Sequence, residues 1–190
     1  LRALGLAPLP AEPAAREAEL LARYEVFTEF ERGSRAFGAQ RRESEQRAAE
    51  IALDNLARNA GYPDPLRLRW KLEAQLVADL AAGPVIATLD DLTVSLSVDA
   101  DGQPRLHAER AGKALKNIPA AAGKTEAIAA LKARKAALDR TATRLRHALE
   151  EAMCRGDAFT GAELIELARH PLLAPSLARL VWLGDGSAGY

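Results

Sequence analysis

The chain has 190 residues, and its 26 Lys and Arg residues balance 26 Asp and Glu residues, so the formal net charge at pH 7 is zero. The length suits one domain. The chain contains 48% hydrophobic and 27% charged residues, and because these proportions are ordinary for a soluble globular protein, they exclude wholesale disorder. A single cysteine excludes a disulfide framework and a thiolate zinc site, and no apolar run of about 18 residues could cross a membrane, so we expect a cytoplasmic protein without a membrane partner.

Four segments precede the first predicted strand. Residues 1–12 are rich in proline and alanine, and we expect a flexible N-terminal end. Apolar side chains then recur at three- and four-residue spacing, which predicts helices over about residues 13–32 and 39–60, the second ending at the C-cap Gly61. A proline-containing restart and a further apolar stripe predict a third helix over about residues 65–81.

The periodicity changes to a two-residue alternation after this helix. Leu92–Val98 alternates apolar with hydroxyl side chains, which predicts a strand with one buried face. Asp99–Gly102 has the composition of a turn, Arg105–Glu109 can return as the partner strand, and Val85–Leu89 can form a third. We therefore predict a small antiparallel β-meander at about residues 85–110.

A long helix is predicted from about residue 124 to residue 155. Its apolar positions follow alternating three- and four-residue steps, which form a seven-residue repeat. These positions are Ile128, Leu131, Leu138, Ala142, Leu145, Leu149 and Ala152. Such a stripe usually packs along another long helix, so we expect it to contact the helix at 39–60 or the helix at 65–81.

The C-terminal segment is predicted to form two short helices and a tail. Thr160 and Glu163 have the spacing of a capping box that starts the first helix, and the second ends near Trp182. Together the elements predict an α+β, mainly α fold, with one helical domain over residues 13–183 that combines long antiparallel-packed helices with the small β-meander. Residues 184–190 are expected to be a tail that continues into a region missing from this sequence.

Two short strings suggest ligand sites that their surroundings contradict. Gly123-Lys124-Thr125 precedes a helix as in a phosphate-binding loop, but Ile118 stands where that loop needs its first glycine. Asp99-Ala100-Asp101-Gly102 is similar to the start of a calcium loop, but Pro104 stands where that loop needs a glycine. A helix N-terminus and a hairpin turn explain them better. We predict no catalytic residue, no metal ligand and no cofactor.

The three histidines and the cysteine lie singly on different elements. His107, His147 and His170 lack the four-residue spacing of a helical metal pair. Cys154 lies near the apolar stripe of the long helix, so we expect a buried small side chain and not a nucleophile.

The zero net charge conceals an uneven distribution. Residues 124–155 hold eight basic and four acidic side chains, whereas both ends of the chain are net negative. Two interpretations stay open, a solvated helix face or a surface that binds nucleic-acid phosphates. The candidate nucleic-acid-binding residues are Lys132, Lys135, Arg140 and Arg144. Residues 71–158 contain no Phe, Tyr or Trp, so stacking on bases could not contribute there.

Several strings occur together in a recognisable order. They are Asn55–Pro65, Trp70–Ala74, Gly112–Pro119, Leu149–Gly156, His170–Leu173 and Arg179–Trp182. In this order they resemble an internal region of large bacterial proteins that carry the domain of unknown function 4132, over roughly residues 40–185. Such proteins are described as molybdate-metabolism-regulator-like, and some carry a WGR domain. The resemblance implies a bacterial cytoplasmic multidomain protein, and it transfers no catalytic motif to this chain.

Three functional hypotheses follow from the sequence. The preferred one is a non-catalytic interaction or scaffold module of a larger regulatory protein, which binds neighbouring domains of the same chain or another protein. The second is a nucleic-acid-binding module that uses the basic helix over residues 124–155. The third is part of an enzyme whose active site is completed by regions outside this sequence.

Overall fold

A computed structural model describes residues 1–184 and 187–189 of the chain. The chain divides into two compact units, Leu1–Glu73 and Ala74–Tyr190, where the sequence predicts a single domain over residues 13–183. Each unit buries apolar side chains of its own. The predicted mainly helical α+β class is confirmed, since helices predominate and one four-stranded antiparallel sheet is present.

The first unit is helical. Its helices are α1 (Arg2–Leu6), α2 (Pro13–Gly33), a 3₁₀ turn (Ser34–Ala36), α3 (Ala39–Ala60) and the start of α4 (Pro65–Leu76). The Glu12 side chain caps α2 by accepting hydrogen bonds from the backbone N–H groups of Ala14 and Ala15, and Gly61 ends α3 with a φ of +84°. The α2–α3 connection is short, which makes these helices antiparallel neighbours around a core that includes Phe27 and Leu56.

Residues 1–12, which the sequence predicts to be flexible, contain the helix α1. The buried Arg23 guanidinium donates hydrogen bonds to the carbonyl oxygens of Leu4 and Ala7, at 3.0 and 2.7 Å. Asn59 also donates to the Ala7 carbonyl, at 2.7 Å. Gly5 has no Cβ, and this allows α1 to lie directly on the backbone of α3. Donors from distant positions in the sequence therefore hold this segment against the rest of the first unit.

The second unit contains the predicted meander and one additional strand. After the short helix α5 (Ala78–Ala82), the strands β1, β2, β3 and β4 follow in chain order and pair antiparallel in the same order. Their ranges are Val85–Leu89, Leu92–Val98, Pro104–Arg110 and Lys113–Leu115. Ala111 and Gly112 connect the last two strands with φ values of +47° and +76°, the backbone of a type I′ hairpin turn.

The sheet is amphipathic. Leu92, Val94 and Leu96 of β2 are buried, and the residues between them are hydroxyl side chains on the opposite face. The register places Ala87 and Ala108 on either side of Val94, so the apolar face continues across three strands. The predicted strand with one buried face is thus part of a larger apolar surface.

The long helix α6 (Glu126–Arg155) lies against this sheet. It contacts β1, β2 and β3, and all seven predicted stripe positions, from Ile128 to Ala152, are buried. Within the second unit, α6 therefore packs at least in part on strands of the sheet. A seven-residue repeat specifies an apolar stripe but does not determine whether a helix or a sheet covers it.

The C-terminal segment is more varied than predicted. Helix α7 (Gly161–Ala168) starts with the predicted capping box, and α8 (Ala174–Leu177) is shorter than expected. Strands β5 (Trp182–Gly184) and β6 (Ser187–Gly189) then pair as a hairpin where the sequence predicts a tail over residues 184–190. Positions 185, 186 and 190 of that tail lie outside the described residues. Among the described residues, no helix combines the length and the apolar character needed to span a membrane.

Candidate functional site

The four predicted nucleic-acid-binding residues do not form one patch on α6. Lys132 and Arg140 are exposed, and they are eight positions apart in sequence, which separates them by about 12 Å along the helix axis. Arg140 and Arg144 lie on successive turns, with Arg144 half-buried. Lys135 forms an ion pair with Asp139 at 2.8 Å. The structure thus brings two of the four residues together and neutralises a third.

The excess positive charge of α6 is partly matched by carboxylates of neighbouring elements. Arg134 donates two hydrogen bonds of 2.7 Å to the carboxylate of Asp79 in α5. This interaction holds the pKa of Asp79 below its ordinary value. At the other end of the helix, Arg155 donates to Asp157 at 2.7 Å. These pairs favour the interpretation of α6 as a solvated helix face, because part of its positive charge is matched within the protein.

The histidines and the cysteine are separate from one another. His107 lies opposite Ser95 on the exposed face of the sheet, and His147 lies 3.4 Å from Glu150 on α6. His170 is fully buried, and burial lowers its pKa to about 4. Cys154, expected to be buried, is exposed. Within the described part of the chain, no three His, Cys, Asp or Glu side chains are placed to hold a metal ion.

An open groove of about 570 Å³ in the first unit was not predicted from the sequence. Lys71 donates to Glu17 at 2.8 Å across it, and its ammonium lies 6.0 Å from the centre of the Tyr62 ring. Burial lowers the pKa of Lys71, but its hydrogen bonds to Glu17 and Tyr62 outweigh this and raise it overall. Arg16 donates to the carbonyl of Ala60 at 3.2 Å. The groove's cations are therefore already satisfied within the protein.

The two edges of the four-stranded sheet differ in their protection. The β4 edge is only three residues long and carries Lys113, and short or lysine-bearing edge strands resist pairing with other chains. The β1 edge is five residues long and contains no charge, no proline and no bulge. Its side chains Ile86 and Thr88 lie on the open face of the sheet, and Ile86 is 58% exposed.

The outer backbone groups of β1 have no partner strand within the described residues. Beyond the ladder with β2, residues 85–89 form no backbone hydrogen bond with the part of the chain that the structure describes. An edge strand directs half of its N–H and C=O groups away from its only neighbour, and an extended peptide can satisfy them. The sequence predicts the strand but not its role as an edge. The sequence signal for an edge was its position as the first strand of a meander, because such a strand has a neighbour on one side only.

The fold thus defines a two-unit, mainly helical α+β chain with an amphipathic sheet whose first strand is open. Residues 112–189 match the family model described as Domain of unknown function (DUF4132), which confirms the predicted resemblance over that part of the chain. Residues 1–72 match a different family model, described as Family of unknown function (DUF5724). No curated protein and no solved structure gives a significant match to the chain. Strands β1 to β3 lie between the two matched ranges.

Proposed function

We propose that this chain is a non-catalytic interaction module of a larger bacterial, cytoplasmic regulatory protein. The open β1 edge carries the proposal, because it combines unpaired backbone groups with an exposed Ile86 and contains no charge, no proline and no bulge. The module binds by adding a strand of its partner to this edge. The bacterial and regulatory setting comes from the resemblance to the large proteins with the domain of unknown function 4132.

In strand addition, the side chains of β1 lie beside those of the partner strand. Main-chain hydrogen bonds supply affinity in this mode, and the alternating side chains that flank the edge supply selectivity. On β1 these side chains are Ile86 and Thr88 on one face, and the half-buried Val85, Ala87 and Leu89 on the other. A partner strand that places apolar residues on the inner side therefore extends the apolar face that α6 covers.

Site-specific photo-crosslinking in the full-length protein tests the proposal. A photoreactive amino acid at position 86 is expected to capture an extended segment of a partner, whereas the same group at position 114, on the protected β4 edge, is expected to capture none. Mass spectrometry then maps the captured residues. Equal capture at both positions, or none at position 86, would contradict strand addition at β1.

A second candidate function is nucleic-acid binding by α6, which the exposed Lys132 and Arg140 favour because neither forms an ion pair within the described residues. Two phosphate contacts would give a logarithmic salt dependence of only about −2 for duplex DNA. A salt-titrated gel shift with DNA and RNA measures this slope, with Arg140→Gln as the variant. Binding that is absent at low salt, or that is unaffected by Arg140→Gln, removes this candidate.

A further inference from the structure

The β1 strand is complementary to itself when two copies run antiparallel. A two-fold axis at Ala87 places Val85 opposite Leu89 of the second copy, and Ile86 opposite Thr88. We infer that the β1 edge pairs with β1 of a second copy of this chain and forms a continuous eight-stranded sheet in a symmetric dimer. This inference rests on the proposed function, in which the β1 edge accepts a strand.

The register follows from the two faces of the strand. Directly opposite residues in an antiparallel pair point to the same side of the sheet. With the axis at Ala87, the half-buried Val85 and Leu89 meet each other on the side that α6 covers. A one-residue slip would instead place these apolar side chains opposite Ile86 and Thr88, which point to the open face. The self-pairing register also uses all five residues of the strand.

The acidic turn after β1 favours an antiparallel orientation. Asp90 and Asp91 follow the strand directly, and both are exposed. Parallel pairing would bring the acidic turns of the two copies together. Antiparallel pairing places Asp90 opposite Pro84 of the second copy, so the two Asp90 residues are separated by about 20 Å along the strands. That distance exceeds the Debye length of about 8 Å at physiological ionic strength, so their repulsion is screened.

Two further features favour a second copy as the occupant. The formal net charge of the chain is zero, so no long-range repulsion opposes the approach of two copies. Pro84 lacks an N–H group and ends the ladder on one side, while the Asp90 turn ends it on the other. The edge is therefore matched in length to one partner strand of five residues, and β1 itself is such a strand.

Light scattering coupled to size-exclusion chromatography tests the inference on the 190-residue chain. The wild-type chain is expected to have twice the mass of one copy. Ile86→Lys is expected to weaken the dimer at least tenfold, because the two lysines become diagonal neighbours about 7–8 Å apart across the pair. Ala114→Lys, an exposed change on the β4 edge, is the matched control and is expected to leave the mass unchanged.

The outcomes separate this inference from the proposed function. A wild-type chain that stays monomeric at about 100 µM, or a dimer that persists in both Ile86→Lys and the second edge variant Thr88→Lys, overturns the self-pairing of β1. If the chain is monomeric while position 86 crosslinks to a different protein, the inference fails and the proposed function stands. If position 86 captures nothing and the chain is monomeric, both fail. Far-UV circular dichroism verifies that each variant is folded.

Discussion

The Cβ atom that Gly102 lacks would lie 2.8 Å from the carbonyl oxygen of Leu172. Gly102 is buried in the turn between β2 and β3, and its φ of +73° lies in the left-handed region. The β-meander can therefore contact the segment before α8 only because this position carries no side chain. This contact joins two parts of the second unit that are about 70 residues apart in sequence.

Gly102→Ala is predicted to destabilise the second unit by about 3 kcal/mol, from left-handed strain and the clash with Leu172 combined. Gly112→Ala is the matched control. Gly112 has nearly the same φ, +76°, but nothing within 4 Å of its added Cβ, so about 1 kcal/mol is expected from the strain alone. Urea unfolding measures both variants. Equal losses in the two variants would show that the approach of Leu172 does not matter.

His170 is predicted to make the second unit sensitive to mild acid. Its pKa is lowered to about 4 by burial, whereas the unfolded chain takes up this proton near the ordinary value of 6.5. The free energy of unfolding is therefore constant well above pH 6.5 and falls by about 3 kcal/mol as the pH decreases from 6.5 to 4. Urea unfolding at several pH values measures this slope.

Two histidine substitutions test whether the slope belongs to His170. His170→Gln is expected to flatten the dependence between pH 6.5 and 4, even if the variant is less stable overall, because glutamine does not titrate. His147→Gln changes an exposed side chain of α6 and serves as the control. A slope that survives His170→Gln would assign the acid sensitivity to other groups.

Arg23→Met is predicted to destabilise the first unit by about 3 kcal/mol and to release the N-terminal segment. The substitution keeps the apolar stem but removes the donors to the carbonyls of Leu4, Ala7 and Pro8. Hydrogen exchange over residues 2–9 should become faster in the variant. Arg41→Met, which removes an exposed arginine of α3, is the control and should change stability by less than about 0.5 kcal/mol.

Much of the fold was predictable because its signals are local. The helix boundaries at Pro13 and Gly61, the capping box before α7 and the alternation in β2 each depend on a few adjacent residues. The ordering of residues 1–12 was not predictable, because it depends on donors from Arg23 and Asn59, which are distant in sequence. The composition of a segment does not show whether side chains from distant positions will donate hydrogen bonds to its carbonyl oxygens.

The candidate site was only partly predictable for a related reason. The basic composition of α6 is visible in the sequence, but the pairing of Arg134 with Asp79 requires the tertiary structure. Likewise, the strand β1 could be predicted, whereas its exposure as an edge depends on which strands pair. The residue types in a sequence indicate what a surface could bind. Whether that surface is covered by another part of the protein depends on the tertiary structure.

The pairing of Arg134 with Asp79 is predicted to be worth about 0.5–1 kcal/mol, because both side chains are partly exposed and water screens them. A double-mutant cycle with Arg134→Gln and Asp79→Asn measures this coupling energy. Arg134 lowers the pKa of Asp79 in the folded protein. The stabilisation is therefore fully present at pH values above the ordinary aspartate pKa, and it is lost as the pH falls through the lowered pKa. High salt should reduce the coupling, and Arg134→Gln should return the pKa of Asp79 towards its ordinary value in NMR titrations. A coupling energy of zero at low salt would contradict a stabilising role for this ion pair.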